Sequence, residues 1–221
     1  MTVSIYLGDW RDVFESWPSP CVLICDPPYG IDYVSGWSSR LDAPRTMPRA
    51  IVGDGDTRER DEAMERIGWT SAAVFGPSVK KMLRLPPWSP DRVIDVLVLD
   101  KNGVGMGDVS WPWTPDTETI AIYGDGWAGH RGSSIIRGPM APRGALVHPN
   151  QKGVRQLCEI VRKAPHGLPI VDPFMGSGVV GSACMLEGRD YFGAEIDPAH
   201  FAVASDRIGV SNGPLFAGVD A

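Results

Sequence analysis

Short apolar runs alternate along the chain with stretches whose apolar residues recur at helical spacing. Residues 2–7 alternate and are rich in β-branched side chains, which predicts a strand ending at Gly8-Asp9. Residues 10–17 suggest a short helix ended by Pro18 and Pro20, and residues 22–25 form an apolar run with the look of a buried strand. Residues 56–67 are charged and helix-like, 72–75 read as a short strand, 93–99 as a strong strand and 119–123 as another. Val154, Leu157 and Val161 share one helical face, with Asn150 as the expected cap. Strand 168–171, helix 179–186, strand 191–194 and helix 198–208 follow, the last opened by Asp197 and Pro198. Segments 30–55 and 124–145 carry many Gly, Arg and Ser and little periodicity, so both read as irregular surface segments.

Strands alternating with helices predict an α/β layered fold with a mainly parallel sheet. A chain of 221 residues is most simply one domain with a full-sized core. No apolar run approaches the ~20 residues of a membrane span, and the first residues lack the features of a signal peptide. Cys21, Cys25, Cys158 and Cys184 show no paired metal spacing and are expected to pack in a reducing cytoplasm. The net charge of −6 argues against strong non-specific affinity for a polyanion. Clusters such as Arg40, Arg45 and Arg49, or Arg131, Arg137 and Arg143, fall in the irregular segments and would offset it locally.

Two stretches carry chemistry. After the run 22–25 the chain reads Asp26-Pro27-Pro28-Tyr29. Neither proline has an N–H to donate, so the strand must stop there. An acid, a proline-fixed carbonyl and an aromatic ring can together accept two hydrogens from an exocyclic amine and stack on the flat base that bears it. Further on, Gly176, Gly178 and Gly181 satisfy Gly-x-Gly-x-x-Gly, and Glu195 stands at the next strand end. Such glycines allow a tight turn and close ligand approach, and the acid suits ribose hydroxyls, which leaves a nicotinamide dehydrogenase as a competitor. Asp172-Pro173-Phe174 opens that turn with an acid, better matched to a cationic amino-acid moiety than to a pyrophosphate.

Asp26 to Tyr29 resembles the signature of the DNA amino methyltransferases, which methylate N6 of adenine or N4 of cytosine from S-adenosyl-L-methionine. Asp-Pro-Phe-Met-Gly-Ser-Gly over 172–178 looks like the cofactor motif of the same family, with Glu195 matching its ribose-binding acid. His148-Pro149-Asn150-Gln151-Lys152 is similar to the segment that precedes that motif, although Asn150 and Gly153 depart from its usual His-Pro-Thr-Gln-Lys-Pro. Gly8-Asp9 and the Lys101…Glu118 pair resemble family positions more loosely. Because Asp26 precedes the cofactor motif, the order is that of the permuted β class.

The resemblance implies a Rossmann-like methyltransferase fold, with a twisted, mainly parallel sheet and helices on both faces. It assigns Asp26, Pro27, Pro28 and Tyr29 to catalysis. Cofactor contacts would come from Asp9, Asp26, His148, Asn150, Lys152, Asp172, Pro173, Phe174, Gly176, Ser177, Gly178, Glu195 and Ile196, with no metal. The strands carrying Asp26 and Asp172 should be neighbours at the switch point of the sheet. The expected substrate is double-stranded DNA with its target base flipped out, and segments 30–55 and 124–145 would contact it. These are small for target recognition, so the site is short, recognition is relaxed, or a second subunit forms a homodimer. Compact enzymes of this kind are associated with phages and mobile elements. Asp at the start of the signature favours adenine N6 over cytosine N4. RNA adenine methylation, and a catalytically idle DNA- or protein-binding module, are the alternatives.

Overall fold

The computed structural model describes residues 1–30, 54–84, 86–101, 112–113, 116–137 and 153–209. Its strands are β1 (Val3–Leu7), β2 (Cys21–Cys25), β3 (Trp69–Gly76), β4 (Val93–Asp100), β5 (Thr117–Gly124), β6 (Ile135–Ile136), β7 (Ile170–Asp172) and β8 (Tyr191–Glu195). They form one sheet in the order β1-β8-β7-β2-β3-β5-β4-β6. From β1 to β3 every pairing is parallel. β5 runs antiparallel to β3 and β4, and β6 pairs in parallel with β4. The expected α/β architecture with a mainly parallel sheet is therefore observed. The helices are α1 (Arg58–Arg66), the short α2 (Val79–Met82), α3 (Val154–Lys163), α4 (Val179–Leu186) and α5 (Pro198–Ile208). Among the described residues no helix is long and apolar enough to cross a membrane.

β2 is the central strand, and its run Cys-Val-Leu-Ile-Cys is buried throughout. Val22 and Ile24 pack into the cluster that includes α3, α4 and α5, while Cys21, Leu23 and Cys25 pack with Ala63 and Met64 of α1. A strand covered on both faces needs apolar residues at every position, which explains the continuous run. All four cysteines are free and buried in these cores.

Three expectations are corrected in detail. Residues 10–17 form two 3-10 turns, Trp10–Asp12 and Phe14–Ser16, rather than one helix. Arg11 explains the tightening: its guanidinium is drawn to Asp9, Glu59 and Glu62, and the Asp9 carboxylate also accepts its backbone N–H at 3.0 Å. The helix expected from Asn150 begins instead at Val154, with Gly153 at its N-cap donating to Oε1 of Gln156 at 3.1 Å. Asn150 itself lies outside the described residues, as do His148 and Lys152. Within segment 124–145, Ile135–Ile136 forms a strand beside Val98 and Leu99, with Ile136 in the core. Two residues are too few to produce a sequence period, so only the open edge of β4 reveals the pairing. Nearly all of segment 30–55 lies outside the described residues.

Close packing of α4 and α5 fixes the glycine-rich turn. Gly178 has φ +74°, and a Cβ there would stand 2.9 Å from the backbone Cα of Ala204 in α5. At Gly181 a Cβ would lie 2.5 Å from Cδ1 of Ile208 and 2.8 Å from the ring of Tyr191. Both glycines are thus required by helix packing. Arg189 ties the end of α3 to β7 by donating to the carbonyls of Val161, Ala164, Pro165 and Leu168 at 2.6–3.2 Å.

Gly178→Ala is expected to cost about 2–4 kcal/mol, from the positive φ and the overpacking against α5. Urea denaturation should show a lower midpoint at an unchanged slope. Arg189→Met, which strands several carbonyls, should cost about 2–3 kcal/mol by the same measurement.

Candidate active site

Parallel pairing sends the carboxyl ends of β1, β8, β7 and β2 to one edge of the sheet. Each ends at or just before an acid: Asp9 after β1, Glu195 closing β8, Asp172 closing β7 and Asp26 after β2. β2 and β7 are hydrogen-bonded neighbours, with Leu23 opposite Val171. From β2 the chain continues to β3 on one side, whereas from β7 it continues to β8 on the other. This is the switch point, where open α/β sheets leave a crevice. The expected juxtaposition of the Asp26 and Asp172 strands is observed.

Asp172 is buried at the floor of this edge. Its Oδ1 accepts the N–H of Phe174 at 3.2 Å, and its Oδ2 accepts the hydroxyl of Tyr191 at 3.3 Å. Burial pushes the carboxyl up to about 8, with repulsion from Asp26 and Glu195 adding to the rise and the two hydrogen bonds opposing it. Glu195 clamps the glycine turn. Its Oε2 accepts the N–H of Gly176 at 2.7 Å and its Oε1 that of Asp197 at 2.8 Å. The carbonyl of Glu195 takes the N–H of Gly8 at 2.9 Å, which brings Asp9 to the same edge. The Asp9 carboxylate is engaged there by Arg11, at 3.0 Å from both Oδ1 and Oδ2 to its donors. Asp9 also caps the first 3-10 turn.

The glycines divide their tasks. Gly178 and Gly181 serve packing. Gly176, at φ +55°, faces open space, since the nearest atom to an added Cβ is the Phe174 carbonyl at 4.0 Å. A ligand can therefore approach the backbone at Gly176. Ser177 is held from α5, where Arg207 donates to its carbonyl at 2.6 Å and to its hydroxyl at 2.9 Å. Phe174 packs against the α1-side core, and Ile196 is an exposed apolar side chain directly after Glu195.

On the β2 side, Pro27 is buried while Asp26, Pro28 and Tyr29 are half-buried. The Tyr29 hydroxyl donates to Oδ1 of Asp26 at 2.6 Å. Desolvation, then the charges of Asp26, Glu118 and Asp54, hold the Tyr29 phenol well above its usual range, so it remains a donor at neutral pH. The Gly30 N–H donates to Oδ1 of the buried Asp54 at 2.8 Å, which fixes the exit of the turn. Beyond it, Lys101 and Glu118 form a largely buried ion pair at 3.3 Å. The ends of β4 and β5 that carry this pair lie on the same sheet edge as Asp26, because β5 is antiparallel to β3.

Sequence reading did not single out Tyr191, Asp54 or Arg207. Tyr191 reads as one more apolar strand residue, and Asp54 and Arg207 reach the site across the fold rather than along the chain. Among the described residues, no group of His, Cys, Asp and Glu has the geometry to hold a metal ion.

The fold has clear parallels. The fold superposes on the crystal structure of the M1.HpyAVI–SAM complex with a TM-score of 0.67 at 17% identity, covering 94% of this chain and 99% of that one. The cytosine-N4-specific PvuII DNA methyltransferase matches with a TM-score of 0.62 at 13% identity, over 94% of this chain and 86% of the other. Type II methyltransferase M.XycI of Xanthomonas campestris pv. cyanopsidis is 40% identical over 55 residues, which is 23% of this chain and 18% of that protein. M.Cfr9I of Citrobacter freundii, also a Type II methyltransferase, is 44% identical over 39 residues, 18% of this chain and 13% of its own length. The matched stretch thus spans under a fifth of either curated relative. A family model described as DNA methylase, for N6 and N4 methyltransferases, matches residues 87–206, more than half of the sequence. By that match, on a fold that agrees with it, the chain belongs to the DNA methylase family.

Proposed function

We propose that this protein is an S-adenosyl-L-methionine-dependent DNA methyltransferase of the permuted β class, acting on N6 of a flipped-out adenine in double-stranded DNA. The observation that carries the reading is the meeting of Asp26-Pro27-Pro28-Tyr29 with the Asp172–Gly178 turn across the paired strands β2 and β7. The donor set suits a cationic cofactor. Asp172 is buried beside two further carboxylates, a cluster that an ammonium or sulfonium charge would relieve. Open space at Gly176 leaves room for the ligand. Asp172 and the Pro173-Phe174 backbone would hold the amino-acid end, Gly176, Ser177 and Gly178 the turn, Glu195 the ribose, and the exposed Ile196 the base. Asp9, His148, Asn150 and Lys152 complete the proposed contacts. When bound, the cofactor supplies an electrophilic methyl group.

The chain's own residues orient the nucleophile. The target amine's lone pair is delocalised into its ring, and a carboxylate with a reference pKa of ~3.9 is far too weak a base to deprotonate it. Asp26 and the Pro27 carbonyl instead each accept one N–H, which turns the nitrogen toward the methyl donor. Tyr29 stacks on the base, and its hydroxyl steadies the Asp26 carboxylate. After transfer the nitrogen becomes acidic, and Asp26 or water takes its proton. Orientation and local charge supply the acceleration.

Adenine is favoured because the signature opens with Asp26, where cytosine-N4 members more often have Ser. Cytosine N4 is the second reading, supported by the comparable likeness to the PvuII enzyme. Plasmid DNA incubated with protein and S-adenosyl-L-methionine should yield N6-methyladenine on nucleoside mass spectrometry. N4-methylcytosine in its place would reassign the base and retain the mechanism. Asp26→Ala should lower methylation at least a thousandfold, the scale of losing a transition-state contact of several kcal/mol, a loss that persists when the cofactor is saturating. Undiminished methylation in that variant would remove Asp26 from catalysis.

A further inference from the structure

We propose that Tyr191 is a positioning residue for cofactor binding: its hydroxyl, bonded to the buried Asp172, favours the ionised carboxylate that a cationic ligand requires. The inference rests on the reading that Asp172 faces the cofactor's cationic end, and it names a residue that neither signature contains.

Tyr191 is fully buried, with its hydroxyl donating to Oδ2 of Asp172 at 3.3 Å. Its ring lies in a slot cleared by two glycines. A Cβ at Gly181 of α4 would come within 2.8 Å of the ring, and one at Gly193 within 2.6 Å of the hydroxyl oxygen. Phenylalanine would satisfy the same apolar slot without requiring a partner for a buried hydroxyl, which is costly when unbonded. The hydroxyl is therefore paired with the one carboxylate at the floor of the crevice.

The surroundings of Asp172 make that donor consequential. From β2 it faces Asp26 and Cys25, from β8 Glu195 and Tyr191, and from α4 Cys184. These groups are acidic or neutral, so they oppose its ionisation, as does burial. Against them stand the Phe174 N–H and the Tyr191 hydroxyl. The phenol is itself held well above its usual range, first by burial and then by the charge of Asp172, so it stays a donor across the working pH.

In the ligand-free protein the Asp172 carboxyl titrates near 8, so at neutral pH much of it is protonated. A cationic ligand favours the ionised form, so binding releases a proton, and affinity rises with pH until Asp172 ionises by itself. Removing the Tyr191 hydroxyl moves that titration upward. Tyr191→Phe should then bind S-adenosyl-L-methionine about three- to tenfold more weakly near pH 7, the scale of one ordinary hydrogen bond. The difference should vanish at alkaline pH, where both carboxyls are ionised.

Calorimetric titration of wild type and Tyr191→Phe with S-adenosyl-L-methionine, across pH and in buffers of different ionisation enthalpy, tests this. Taking the ratio of the two dissociation constants cancels the titration of the ligand itself. A ratio that falls toward one with rising pH, with more protons released by the variant, is the expected result. A ratio independent of pH indicates a merely structural role and overturns the inference, as does an unchanged affinity. Absence of binding by wild type overturns the cofactor reading and this inference with it. Should Tyr191→Phe not fold, 3-fluorotyrosine inserted at position 191, a stronger donor, must shift the profile to lower pH. No shift there overturns the proposal equally.

Discussion

Asp172 sits buried at the end of β7 with Asp26 and Glu195 as its charged neighbours, and this crowding of like charge constrains everything built at the sheet edge. A parallel sheet buried on both faces has few places to expose polar groups, so they collect at strand ends. Here three adjacent strands, β8, β7 and β2, each deliver an acid to the same edge. Such a cluster is unfavourable in a free protein and favourable around a cation. The same physics that raises the Asp172 carboxyl is what the proposed cationic ligand would relieve.

The supporting structure is consistent with that constraint. Glu195 meets two backbone N–H groups, Asp172 an N–H and a phenol, and Asp9 a guanidinium. The glycine turn is held from two sides, by Glu195 through Gly176 and by Arg207 through Ser177. Only Gly176 of the three signature glycines is left facing open space. The pattern Gly-x-Gly-x-x-Gly therefore joins one position open to a ligand to two that also pack closely against α5. That is why the pattern alone is a weak indicator of function.

Tyr29 joins two tasks usually considered apart. Its ring suits stacking, and its hydroxyl is bonded to the acid that would orient the target amine. Together with Tyr191 on Asp172, this gives each of the two central acids a phenol partner. The first pair spans one tight turn, whereas the second crosses from β7 to β8. Both phenols are held in their donor form by burial and nearby acids. Hydrogen bonds of this kind add order and charge control without adding a titrating group near neutral pH.

The strands β2, β4, β5 and β8, the helices α4 and α5, and the mainly parallel sheet were legible in the sequence because they rest on local signals: an unbroken apolar run, a helical period, Asp197 before Pro198. The pairing of β2 with β7 was also foreseeable, through the order of the two signatures. Other features needed the tertiary structure. Residues 135–136 are a strand only because β4 offers them an edge. Residues 10–12 tighten into a 3-10 turn because Arg11 is drawn to acids on α1, about fifty positions away. Tyr191 becomes a polar contact of Asp172 only when two glycines clear its slot, and the close approach of Gly178 to α5 is visible only in the packed structure. Sequence by itself determined which strand ends bear acids and which segments are periodic, since those depend on side-chain type and near neighbours. The tertiary structure alone decided how the charges confront one another, because burial and distance between remote residues set both their energies and their protonation.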